Sequence, residues 1–147
     1  AEGVRANPRV AVALAIDTPA GVYAPVLSDP ATGSLRELDA RVRRLAEQVR
    51  RGRLDPDLMS GATGTLSNLG SLGIDCFNAL LTVPQATALS MGRVGLRPVC
   101  AASGEVTSQV ACEVGLTLDH RVADGADGAR ALQFLQDLLT DPVSLLA

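Results

Sequence analysis

Residues 108–118 read Ser-Gln-Val-Ala-Cys-Glu-Val-Gly-Leu-Thr-Leu, residues 119–125 read Asp-His-Arg-Val-Ala-Asp-Gly, and an alanine- and leucine-rich stretch follows to Leu139. In the first block Val110, Cys112, Val114, Leu116 and Leu118 alternate with smaller or polar residues, the two-residue period of a strand with one buried face. In the last block Leu132, Leu135 and Leu139 fall on one face of a helix expected from about Ala126 to Leu139. Asp141-Pro142 ends that helix, and an apolar tail runs from Val143 to Ala147. A strand that passes through a short polar turn into a helix belongs to an α/β architecture. That turn holds the only histidine of the chain, His120.

Upstream, the apolar run at 9–16 reads as a strand, Thr18-Pro19-Ala20-Gly21 as a break, and 22–27 as a second strand. The two make a hairpin, with Pro25 marking an edge or a bulge. Ser34 and Glu37 form a capping box. Leu35, Leu38, Val42, Leu45 and Val49 give the following helix one apolar stripe. Gly52 is its terminator, and Asp55-Pro56 opens a short turn to Met59. The Gly-, Ser-, Thr- and Asn-rich residues 61–75 read as a loop or tight turn. They lack the Gly-Lys-Ser/Thr of a phosphate-binding loop. A strand is expected over Ala86 to Val94.

The long helix carries Arg41, Arg43, Arg44, Arg50, Arg51 and Arg53. Such a cluster could hold coenzyme phosphates. Yet Glu37–Arg41, Asp39–Arg43 and Glu47–Arg51 are spaced i,i+4, so a solvated face of ion pairs is the preferred reading. The net charge of -3 excludes the basic footprint of a nucleic-acid binder. No apolar run is long enough to span a bilayer. Cys76, Cys100 and Cys112 have neither an even count nor metal-ligand spacing, so no disulfide framework and no metal site are expected. A reducing cytoplasm follows as the compartment.

For chemistry near neutral pH, His120 is the natural general base. Ser67 reads locally as a turn hydroxyl bonded to backbone, and Asp124 as the N-cap of the last helix. Asp119 and Arg121 read as a local ion pair. Ala88-Leu89-Ser90-Met91-Gly92 loosely mimics the nucleophile elbow of α/β-hydrolases. That elbow needs a helix directly after the serine, and Arg93-Val94-Gly95-Leu96-Arg97-Pro98 is a poor helix start, so the hydrolase reading is set aside.

Three segments together carry a resemblance. Asp119-His120-Arg121-Val122-Ala123-Asp124-Gly125 resembles the D-H-R-x-x-D-G signature of dihydrolipoamide acyltransferases, the acyltransferase components of 2-oxo-acid dehydrogenase complexes. Its H-x-x-x-D-G core is shared with chloramphenicol acetyltransferase and with peptide-synthetase condensation domains. Residues 65–75, TLSNLGSLGID, are similar to the family's T-x-S-N-L-G-x-x-G segment, and 83–99 to its P-Q-x-A-I-L-x-V-G stretch with the following R-P. The helix at 34–51 with its R-x-G-x-L sequel also fits, so the resemblance covers nearly the whole chain. It begins partway into the family's catalytic domain, without the first helix and strands, and no lipoyl or subunit-binding domain is seen. Gly64 stands where the family usually has an aromatic.

The resemblance implies a two-layer α/β sandwich with a mixed sheet, chloramphenicol-acetyltransferase-like and N-terminally incomplete, over residues 1–147. It implies transfer of an acyl group between a thioester carrier, lipoamide or coenzyme A, and an acceptor thiol or hydroxyl, with no metal. His120 would be the base, Ser67 the hydroxyl that stabilises the oxyanion, and Asp124 a positioning or structural residue. It also implies a homotrimer with the site shared between subunits. Further assembly into a cage could use the tail, and a companion chain could supply the missing segment. Two alternatives are carried: a stand-alone O-acetyltransferase of specialised metabolism, and a non-catalytic oligomeric scaffold, against which the intact His120, Asp124 and Ser67 argue.

Overall fold

The computed structural model describes residues 3–4 and 6–143. Within them lie β1 (Ala11–Thr18), β2 (Gly21–Tyr23), β3 (Val26–Ser28), α1 (Leu35–Arg50), β4 (Gly64–Asn68), β5 (Thr87–Met91), β6 (Gly95–Cys100), β7 (Val106–Ala111), β8 (Val114–Leu118) and α2 (Gly125–Thr140). The main sheet runs β2-β1-β4-β5-β8, with β3 also on β1. β1, β4 and β5 are parallel, while β2, β3 and β8 join antiparallel, so the sheet is mixed as expected.

The hairpin forms, but its second arm is two short strands on either side of Pro25. Proline has no N–H to give a ladder; the Pro25 carbonyl still accepts from Leu14 N at 2.9 Å. α1 starts at the capping box of Ser34 and Glu37, and Leu45 and Val49 are buried beneath it. Gly52 takes a φ of 62°, the left-handed conformation a terminator needs. Asp55 caps a 3₁₀ turn over Pro56–Met59.

Two readings of the sequence are corrected. Residues 64–68 are a strand, not a loop, and lie at the centre of the sheet between β1 and β5. The strand is crowded at its start: a Cβ on Gly64 would stand 2.5 Å from Thr87 Oγ1. The second correction concerns 108–118, which is two strands broken at Cys112-Glu113. β7 pairs with β6 in a separate two-stranded sheet, and β8 completes the main one. Continuous alternation hid the break, and Pro98 hid β6.

Register divides the main sheet into two unlike faces. Val12, Leu66, Leu89 and Leu116 share one face, and α2 packs there so closely that a Cβ on Gly128 would meet Leu118 at 2.6 Å. An apolar groove of about 540 Å³ remains between that face and α2, bordered by Leu132 and Leu135. Across β1, β4, β5 and β8 the other face carries small or hydroxylated groups: Ala13, Ala15, Thr65, Ser67, Ala88, Ser90, Gly115 and Thr117.

The chain exposes 10643 Å². A folded monomer of 15.1 kDa is expected to expose about 7,100 Å². Leu96, Val106 and Val110 all lie exposed on the β6–β7 sheet, and Leu80 and Val83 are almost bare. The expected apolar tail falls outside the described residues except for Val143, which is exposed.

Candidate active site

β8 delivers His120. Its ladder with β5 continues one step past Leu118, because Asp119 N donates to Ala86 O at 2.9 Å. The chain then turns through His120, Arg121 and Val122, and Asp124 opens α2. Asp124 accepts from Asp127 N at 2.9 Å, and Asp127 reaches back to Asp124 N at 3.1 Å, a complete capping box. This is the N-cap that the sequence suggested. The His120 side chain is exposed and makes no hydrogen bond with any described residue.

Ser67 lies on β4, half-buried, in register with Ala15 on one side and Ser90 on the other. The other hydroxyls of this sheet face are all engaged. Thr65 donates to Gln85 at 2.5 Å, Ser90 to Phe77 O at 2.7 Å, and Thr117 to Ala79 O at 2.7 Å. Ser67 alone among them bonds to nothing in the described chain. The expectation of a turn hydroxyl tied to local backbone is thus replaced by a strand hydroxyl that is free.

Within one chain these two groups do not meet. Ser67, Ser90 and Gly115 align across three strands, and His120 lies beyond the end of β8, past Gly115. At about 3.3 Å per residue this is roughly 16 Å along the strands, and two strand spacings add about 10 Å sideways, so the Cα atoms are about 19 Å apart. Asp124 lies with His120.

The loop after Ser67 is pinned to the start of β6, a feature sequence reading missed. Asn68 Oδ1 accepts from Gly70 N at 2.8 Å, and Gly73 takes a φ of 82°. A Cβ on Gly92 would stand 1.8 Å from Asp75 O. The Asp75 carboxylate accepts from Arg93 Nε at 3.0 Å and from an Arg97 guanidinium nitrogen at 2.6 Å, which hold it below the usual carboxylate range. The signal was present as the glycines of 70–73 with the arginine of R-P, but it pairs residues 18 and 22 positions apart.

Ser90 belongs to no nucleophile elbow. It lies inside a strand, 3 % exposed and bonded to carbonyls. On α1 the pairs Arg43–Asp39 and Arg51–Glu47 form. Glu37 instead serves the capping box, and Arg41 turns to the Ser28 and Asp29 carbonyls. The three cysteines are free, and no cluster of metal-ligating side chains occurs among the described residues. No described helix is long and apolar enough to cross a membrane.

The chain resembles known proteins over nearly its whole length. Residues 1–147 match the family of 2-oxoacid dehydrogenases acyltransferase (catalytic domain). The mitochondrial dihydrolipoyllysine-residue acetyltransferase component of pyruvate dehydrogenase complex from Dictyostelium discoideum is 33 % identical over 145 residues, which are 97 % of this chain and 23 % of that protein. Its Staphylococcus aureus counterpart is 33 % identical over 135 residues, 92 % of this chain and 31 % of that protein. The cubic core of a pyruvate dehydrogenase multienzyme complex superposes with a TM-score of 0.89 at 33 % identity. Dihydrolipoamide acetyltransferase from Azotobacter vinelandii, whose structure was investigated for the catalytic roles of a serine, a histidine and an asparagine, gives 0.89 at 32 %. In both cases 96 % of this chain and 58 % of the other are covered. The chain thus spans under a third of the two curated relatives and just over half of the two solved cores, and it belongs to the 2-oxoacid dehydrogenase acyltransferase catalytic-domain family.

Proposed function

We propose that this chain is an acyltransferase that moves an acyl group, in the simplest case acetyl, between a thioester carrier (lipoamide or coenzyme A) and an acceptor thiol or hydroxyl. His120 takes the proton from the acceptor thiol, which at a pKa of about 8.5 is only slightly ionised at neutral pH. The sulfur attacks the thioester carbonyl. Ser67 Oγ–H donates to the tetrahedral oxyanion, collapse expels the carrier thiolate, and that thiolate recovers the proton from His120. No electrons change hands and one thioester replaces another. Asp124 holds the end of the turn by capping α2. In the Azotobacter enzyme the histidine and asparagine are four positions apart, as His120 and Asp124 are here.

The observation that carries this reading is the free Ser67 hydroxyl on a face where every other hydroxyl is engaged. A transition-state donor must be preplaced and available. The separation of about 19 Å from His120 then calls for a second copy, with His120 of one subunit facing Ser67 of its neighbour in a homotrimer. The large uncovered surface supports that assembly and a larger cage built from it, as the cubic core of the relative illustrates. It also leaves the α2 groove for further polypeptide, on the same chain or a companion. The free thiols suit a reducing cytoplasm.

The test is acyl transfer between coenzyme A and dihydrolipoamide by the assembled protein, followed by mass spectrometry of the thioester. His120→Ala should lower the rate by at least about 100-fold with assembly size unchanged. Activity retained within about twofold would leave the scaffold role instead.

A further inference from the structure

The turn that presents His120 is closed by a ring of hydrogen bonds spanning that residue. The Asp119 carboxylate accepts from Arg121 N at 3.0 Å, from Arg121 Nε at 2.9 and 3.2 Å, and from an Arg121 guanidinium nitrogen at 2.6 Å. The main chain of Asp119 is held as well. Its N–H donates to Ala86 O, and its carbonyl accepts from Val122 N at 2.8 Å and Ala123 N at 3.2 Å. Every polar group of Asp119 is thus engaged: its N–H ties the turn to the residue before β5, and its carbonyl and carboxylate close the turn on Arg121, Val122 and Ala123. His120, lying between the two ring residues, spends none of its side-chain groups.

We infer that Asp119 is a positioning residue for His120, its carboxylate and the Arg121 fork closing the turn so that the imidazole is presented in one orientation. This rests on the base role proposed for His120 and names what holds it there. The alternative is an ordinary surface ion pair, which pivots freely and contributes little. Three features favour the ring. It spans only two residues, it uses the backbone N–H as well as both faces of the fork, and its acidic member is 19 % exposed against 84 % for the arginine. Fork geometry fixes direction as well as distance. The arginine holds the Asp119 carboxyl down at about 2, so the ring stays charged throughout the working range of a histidine base. Because Arg121 lies almost wholly in solvent, the ring should matter little to global stability and much to local order.

Three variants of the assembled protein test this: Asp119→Ala, Asp119→Asn and Arg121→Ala. Asp119→Asn keeps an acceptor for the Arg121 N–H and loses the charged fork. The readouts are kcat and KM for the acyl carrier, and amide hydrogen exchange of peptides covering 118–125. Asp119→Ala should lower kcat by about 10- to 100-fold, the scale of a small misplacement of a catalytic group. KM should stay within about twofold and exchange at 120–123 should quicken, without a change in exchange of the β4 and β5 peptides. Asp119→Asn should recover part of kcat, and Arg121→Ala should fall between the two. If exchange quickens but kcat stays within about twofold, or if exchange does not change, the positioning role is overturned. Failure of the underlying reading appears separately, as undiminished activity in His120→Ala.

Discussion

Ser67 and Ser90 are register partners in β4 and β5, on the same face of the sheet, and replacing each with alanine separates a hydroxyl kept for chemistry from one used for folding. The Ser67 hydroxyl has no partner in the chain, so its removal breaks no intramolecular bond, and stability should change by no more than about 0.5 kcal/mol. If it donates to the oxyanion, its loss raises the barrier by about 2.7–4 kcal/mol, a fall in kcat of about 100- to 1,000-fold. Ser90 is 3 % exposed and donates to Phe77 O at 2.7 Å, with Gly115 O 3.3 Å away. Ser90→Ala leaves the Phe77 carbonyl without its donor, at a cost of about 1–3 kcal/mol. In a chain of this size each kcal/mol lowers Tm by about 2–4 °C. Steady-state acyl transfer and thermal melting on the same preparations read both quantities. The expected pattern is crossed: Ser67→Ala slow but stable, Ser90→Ala less stable with kcat within about threefold. A clear fall in Tm for Ser67→Ala would show that its hydroxyl is bonded within the protein, and the argument from its availability would fail. So would full activity in that variant.

Gly64→Ala should destabilise by about 1–3 kcal/mol through overpacking against Thr87. Thr87→Ala in the same chain should restore most of that loss; denaturant midpoints showing no coupling would contradict the close approach of β4 and β5. Asp124→Ala should cost about 1 kcal/mol by removing the α2 cap, whereas Asp124→Asn should cost almost nothing because asparagine caps as well. Equal melting temperatures for the two variants would refute the cap. Glu37, Asp75, Asp119 and Asp127 all titrate below their ordinary values, held down by hydrogen bonds from Ser34, from Arg97 with Arg93, from Arg121, and from Asp124 with Arg130. As pH falls the unfolded chain takes up protons first, so the stability these groups add is complete above about pH 4–5 and is lost toward about pH 2. Urea midpoints measured from pH 7 to pH 2 should decline only in that lower window, and less steeply in Asp119→Asn.

Local signals were legible where they were covalently close. The Ser34–Glu37 box, Asp55-Pro56, the glycine after α1 and the strand–turn–helix around His120 each occupy a few adjacent residues, and the structure repeats them. β4 was not legible, because Gly64, Thr65 and Ser67 have turn-like propensities. Their place in a strand is set by pairing with β1 on one side and β5 on the other, a tertiary effect overriding local preference. The break at Cys112-Glu113 was hidden for the opposite reason: alternation persists across it while the two halves pair with different partners. Asp75 with Arg93 and Arg97 could not be paired from spacing, since loops bring them together. For the site, the residue types and the motif were visible, but their separation across the sheet was not. That separation depends on β8 running antiparallel to β4 and β5, so that β8 and β4 carry His120 and Ser67 to opposite ends.

The most direct test of a shared site is to reconstitute assemblies from equal amounts of Ser67→Ala and His120→Ala chains, each nearly inactive alone. If His120 of one subunit works with Ser67 of its neighbour, random mixing in a cyclic trimer pairs an intact histidine with an intact serine at about a quarter of the sites. Activity should then return to about a quarter of the wild-type value. If the mixed assemblies stay as inactive as the parent variants, the two residues do not cooperate across a subunit boundary, and the account of this chain as an acyltransferase with an inter-subunit site is wrong.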